Sequence, residues 1–347
     1  MGWWWGLALV LTIPLAALIL LASSLETDSI EIAFTAEGSL GRDIIHLDIT
    51  HGLARNITHS RDLSEANPEW SADGEWLAFE AAEGRSPRWV VVQRTDGSQR
   101  LELPRANPWN EFPEWSPTAL NLAYVSLDGV LHREIFHVDV LCLTGQRCDN
   151  TVRNLTRSAK GDYGFSWSPD GERMVFASWR TGTSQLFIMN QDGGNLTRLT
   201  GDDDNDVGPH WSPDGSRVAF VSDRDGNLEL YTIAVADRTV HRLTNDLDID
   251  TEPTWSPDGR QVAFVSLRGG NRDLYLMDSD GDNLRRLTQH PASDTYPRWS
   301  PDGQRIAFVS DRAGRAQIYI LDLNSNATPR RLIDSNYRET WAPAWRP

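Results

Sequence analysis

Residues 253–288 read PTWSPDGRQVAFVSLRGGNRDLYLMDSDGDNLRRLT. After Trp255 comes Ser-Pro-Asp-Gly. The proline fixes φ at the second place of a type I turn, and the glycine takes the positive-φ place that follows. The turn opens onto an alternating run, VAFVS at 262–266, then LYLMD at 274–278, then RLT at 286–288. Aromatic and β-branched residues alternating over such lengths are strand chemistry, so the stretch predicts four short strands joined by tight turns.

Outward from this stretch the pattern repeats. WSPDG recurs at Trp167, Trp211, Trp255 and Trp299, 44 residues apart each time. A near copy, WSADG, starts at Trp70, a degenerate copy, WSPTA, at Trp115, and a last tryptophan, Trp345, ends the series, with remaining spacings of 45, 52 and 46. Four-stranded units at this period predict an all-β fold, a β-propeller. Three strand-like segments (IEIAFTA, DIIHLDI, ARNITH) precede Trp70 without a tryptophan strand of their own, and Trp345 sits in a tryptophan strand without the other three. The two ends together make one unit. Residues 30–347 number 318, and 318/7 is about 45, so seven blades are expected over 29–347, closed by the Trp345 strand. Each tryptophan is expected to pack between blades.

The motif PxWSPDGxxxAFVSxRxGxxxLYxMDxDGxxxxRLT, carried by Pro253–Thr288 and the three units like it, resembles the TolB-like propeller repeat, a WD-like repeat, over nearly all of 30–347. TolB itself also has an N-terminal α/β domain and six blades. The resemblance here covers the propeller only, with seven units. Similar repeats form the propellers of dipeptidyl-peptidase and prolyl-oligopeptidase families, whose hydrolase domain has no counterpart in this sequence.

Residues 3–22, WWWGLALVLTIPLAALILLA, form an uncharged apolar run of 20 residues with indoles at one end. That length spans a bilayer as a helix, so residues 1–28 are expected to be a membrane anchor; the rival is a cleaved signal segment with small residues at Ala22-Ser23-Ser24. Either way the body is expected on the extracytoplasmic side, anchored to the membrane, or periplasmic or secreted after cleavage. Cys142 and Cys148, the only cysteines, flank a short insert and are expected to form a disulfide there.

A formal charge of −16 disfavours a nucleic-acid partner and suits a basic protein or peptide. No GxSxG, HExxH or GxxxxGK[ST] motif occurs. His132, Glu134 and His137 fall on opposite strand faces, so no metal set is expected there. Asp278, Asp280, Asp282 and Asn283 look like the start of a calcium loop, but Gln289 stands where its glutamate belongs, so a hairpin turn is expected.

Five residues before each tryptophan stand Glu65, Asn110, Asp162, Asp206, Asp250, Asp294 and Thr340, at one mouth of the central channel. Arg180, Arg224, Arg268 and Arg312 repeat in turns on the same face. The acidic ring either ties blades together through these arginines or offers an electronegative mouth to a cation, such as calcium, or to a basic partner. The next two positions vary: Glu111, Phe112, Tyr163, Glu252, Tyr296 and Trp341. Scaffold positions repeat, whereas binding positions are free to differ. The leading expectation is therefore a non-enzymatic propeller without a resident cofactor that binds a protein or peptide at this mouth. The alternatives are a lyase or hydrolase using channel carboxylates with a cation, and a structural module of an envelope complex.

Overall fold

Seven four-stranded antiparallel sheets follow one another around a ring in the computed structural model, which describes residues 29–38, 41–104, 109–128, 132–144, 152–201, 203–325, 328–333 and 337–347. Blade five shows the pattern: Asp206–Trp211, Arg217–Ser222, Glu229–Ala234 and Val240–Arg242, each strand paired with the next. Register places Asp206 opposite Ser222 and Ser222 opposite Glu229. The links entering each first strand and the second-to-third turns therefore share one face of the ring, called here the link face. The Ser-Pro-Asp-Gly turns occupy the other.

The Ser-Pro-Asp-Gly chemistry is local. Gly215 N–H closes the turn onto the Ser212 carbonyl at 2.9 Å, with Gly215 at φ +71°. Ser212 Oγ donates to Asp214 Oδ1 at 2.6 Å and accepts from the Arg217 N–H at 3.0 Å. A side chain on the backbone there would need the left-handed region that glycine enters freely.

The core lies between blades. Ala219, Val221 and Leu230 of blade five pack against Trp255, Val262, Phe264 and Tyr275 of blade six. The tryptophans also hydrogen-bond across each seam. The indole N–H of Trp70, Trp115, Trp167, Trp255, Trp299 and Trp345 donates to the carbonyl of Ala344, Glu69, Glu114, His210, Thr254 and Arg298 respectively, at 3.0–3.3 Å. Each acceptor immediately precedes the tryptophan of the neighbouring blade. The indole nitrogen of Trp211 is buried without a partner.

Blade one takes its first strand, Glu339–Trp345, from the C-terminus and the rest from residues 31–56. Trp345 is opposite Ile32, Ala344 opposite Ala33 and Trp341 opposite Thr35. Glu31 fastens the join, accepting from Arg346 Nη1 at 2.6 Å and contacting His46 Nε2 at 2.8 Å.

One helical turn, Val140–Leu143, interrupts blade three, and Cys142 within it is disulfide-bonded. Cys148 lies outside the described residues, as does the expected anchor at 1–28. Among the described residues no helix is long and apolar enough to cross a membrane.

Candidate binding face around the channel mouth

Every first strand carries the same irregularity. Pairing with the second strand breaks after the residue four before the tryptophan, and the residue that follows is left-handed: Asn67, Phe112, Gly164, Gly208, Glu252, Tyr296 and Ala342, with φ between +51° and +59°. Bulges of this kind re-aim side chains, and five of these seven positions are not glycine. Such strain persists where the surroundings over-determine it, and it clusters at functional sites. Backbone N–H groups at the bulge are held by carboxylates of the adjacent blade: Phe112 N–H by Glu80 at 3.0 Å and Tyr296 N–H by Glu252 at 2.6 Å.

The acidic positions just before the bulge are internal. Glu65, Asp162, Asp206, Asp250 and Asp294 are wholly buried. Each carboxylate meets an arginine: Asp162 with Arg180 at 3.0 Å, Asp206 with Arg224 at 2.8 Å, Asp250 with Arg268 at 2.5 Å, Asp294 with Arg312 at 2.8 Å and Glu65 with Arg100 at 2.9 Å. Each pair lies within one blade, joining its first strand to the turn after its second strand or, for Glu65, to its fourth strand. A carboxylate with no accessible surface, already held by a guanidinium, has nothing to offer a docking partner until the blade opens.

What reaches solvent is the set one and two positions further on. Phe112 and Tyr296 are 55% and 57% exposed, Trp109 and Trp179 on the same face 43% and 40%, and these four are the exposed aromatics among the described residues. Trp341 is half-buried beneath the Arg42 guanidinium, 4.8 Å from its ring. Glu111 lies 3.6 Å from Arg88 and 3.7 Å from Arg133. Burial raises the Glu252 carboxyl, against the pull of its bond to Tyr296 N–H and of Arg298. Two adjoining hollows between blades six and seven, of 650 and 390 Å³, share Arg272, Ser293 and Asp311; the inner one runs from Glu252 to Tyr296.

A second set lies along the channel, at the residue before each tryptophan. Glu69, Glu114, His210 and Arg298 come from four different blades and yet sense one another. Burial raises the Glu114 carboxyl to about 8, with the charge of Glu69 adding to the shift and Arg298 opposing it. Burial raises Glu69 as well, again opposed by Arg298. Burial and Arg298 together lower the His210 imidazole to about 4. Sequence reading missed this set because only its position repeats, not its chemistry; the phase relative to the tryptophan was the available signal.

The remaining sequence candidates are placed plainly. Glu134 is buried and accepts from Thr156 Oγ1 at 2.6 Å and Ser158 N–H at 2.8 Å, while the His137 ring lies 6.2 Å from that of Trp167. His132 lies 3.3 Å from Asp128. In the 278–283 turn, Asn283 Nδ2 donates to Asp278 at 2.6 Å and Gly281 N–H to the Asp278 carbonyl at 2.9 Å, the bonds of a hairpin.

Residues 44–210, 202–282 and 255–347 match the family model described as the TolB beta propeller domain. A protein TolB homolog of Chlorobium luteolum is 31% identical over 164 residues, 47% of this chain; the matched part spans only 35% of that relative's length. The solved structure of a putative TolB from Agrobacterium tumefaciens superposes with a TM-score of 0.54 at 23% identity, covering 75% of this chain and 89% of that one. An oligogalacturonate lyase from Vibrio parahaemolyticus gives a TM-score of 0.67 at 12% identity, covering 86% and 94%. At such identities these structures speak to the fold alone.

Proposed function

The chain belongs to the TolB β-propeller family, and from that premise we propose that it is a non-enzymatic binding propeller that takes a protein or peptide partner on the link face. The observation that carries this is the gathering of Trp109, Phe112, Trp179 and Tyr296 on one face, where exposed aromatics are the residues that anchor partners. Phe112 and Tyr296 project from strained, braced bulges, so their positions are fixed before a partner arrives. Glu111, Glu252 and Trp341 complete the rim, and the buried acids behind it serve as its support. The chain's −16 charge suits a basic partner over a nucleic acid. The apolar run at 3–22 supports an extracytoplasmic body held at a membrane.

The test is site-specific crosslinking. A photoreactive residue at 179 should trap a discrete partner, one at Leu284 on the outer side of blade six should not, and the pair Phe112→Ala and Tyr296→Ala should abolish the product while the melting temperature holds. Equal products from both positions would sink the reading.

A channel enzyme is the second reading, supported by the shifted protonation of Glu114 and His210. Turnover of an oligogalacturonide that vanishes in Glu114→Gln would favour it.

A further inference from the structure

Three carboxylates converge where the link into blade six passes blade five. Glu229 opens a third strand, Asp246 lies in the link, and Asp250 opens the next first strand. One carboxylate oxygen from each lies within 4.8 Å of the other two. Glu229 and Asp250 are wholly buried and Asp246 partly so. Most of the oxygens are already held. Glu229 accepts from Thr244 Oγ1 at 2.5 Å, Asp246 N–H at 3.0 Å and Arg242 at 3.2 Å. Arg268 holds Asp250 Oδ2 at 2.5 Å and also touches Asp246. Asp250 Oδ1 remains, buried and without a hydrogen-bond partner.

The local charge does not balance. Asp225 joins the cluster through Arg242 at 2.9 Å. Among the described residues, Glu229, Asp246 and Asp250 face Arg242 and Arg268, a formal −3 + 2 = −1, and Arg242 is shared with the exposed Asp225. An excess of this kind is costly away from water. The two neighbouring seams do not carry three such acids. At the 44-residue period, Glu229, Asp246 and Asp250 correspond to Gln185, Asp202 and Asp206 at the seam before, and to Asp273, His290 and Asp294 at the seam after.

We propose that Glu229, Asp246 and Asp250 form a binding site for a hard divalent cation, calcium by its chemistry, which fastens the link before blade six to the third strand of blade five. The donors are all oxygens, as such a cation requires, and calcium tolerates the irregular geometry that a link and two strand ends provide. A charge of +2 more than offsets the local excess and gives Asp250 Oδ1 a partner. The link so fastened carries Leu247, 98% exposed, on the link face. The site stands independently of the partner reading above.

The experiment is calorimetric titration of the full chain, stripped with EDTA, with calcium chloride alone and then with magnesium chloride alone. One calcium per chain is expected. Asp246→Asn, a substitution at a partly exposed position, should bind at least about tenfold more weakly, because affinity in such sites follows the charge of the ligands. Arg268→Gln should bind more tightly, since it removes a cation that competes for the same oxygens. No calcium bound by the wild-type chain, or affinity unchanged in both variants, would overturn the proposal.

Discussion

Arg224 makes three kinds of contact with one planar group. Its Nη2 donates to Asp206 at 2.8 Å, its Nε to Ser222 Oγ at 2.9 Å, and its guanidinium lies 5.4 and 4.9 Å from the rings of Phe220 and Tyr231. Arg268 and Arg312 repeat the arrangement over Phe264 and Tyr275, and over Phe308 and Tyr319. A lysine offers neither the fork nor the stacking plane. The pairing of these arginines with the acids before each tryptophan was legible as an option, because both recur at 44 residues. Burial of the acids was not, because a carboxylate at the mouth of a ring has the same spacing whether it faces inward or out. Along the channel, Glu114 sets a measurable pH dependence. The folded chain keeps this proton up to about pH 8, whereas an unperturbed glutamate releases it near 4.5. The folded state thus binds the extra proton inside that window, so stability falls as pH rises through it. His210 works the other way, but only between about 4 and 6.5. Denaturant midpoints at pH 6.5 and pH 8 should therefore fall for the wild type and fall less for Glu114→Gln; equal slopes would contradict the shift.

At the scale of the strand, two devices recur, and each offers a measurement. The cross-blade indole bond is present at Trp255 and missing at Trp211. Phenylalanine keeps most of the packing and discards the N–H. Trp255→Phe should lose about 1 kcal/mol more than Trp211→Phe, read as the difference between their chemical unfolding free energies, because only the first breaks a made hydrogen bond. The left-handed bulge is the other device. Tyr296→Gly should relieve about 1 kcal/mol of backbone strain, offset in part by glycine's greater freedom when unfolded, and at the same time lose an exposed anchor. Thermal stability that holds or rises alongside weakened crosslinking at the rim is the expected signature; a large loss of stability would show that the ring is packed rather than presented. The strands, their order and the turns between them could be read from alternation and from Ser-Pro-Asp-Gly. The bulge could not, since Phe112, Glu252 and Tyr296 have no intrinsic preference for positive φ and are driven there by the ladder on either side.

For the molecule as a whole, the nine residues 339–347 complete a ring of more than 300. They supply the first strand of blade one, the indole bond of Trp345 to blade seven, the carbonyl that receives Trp70, and Arg346 on Glu31. Removal of a buried tryptophan alone costs about 3–5 kcal/mol, comparable to a typical total of about 5–15 kcal/mol. Deleting 339–347 should unfold or aggregate the body, while deleting 1–28 should leave its melting temperature unchanged; a C-terminal truncation as stable as its parent would refute this. The same join also sets a schedule. Residues 31–56 leave the ribosome some 280 residues before their partner strand exists. At about 5–20 residues per second that is an interval of roughly 15–60 seconds. Through that time the inner edge of the nascent sheet lies open to any extended chain that meets it, so the moment of greatest danger for this protein falls before its last codon is read.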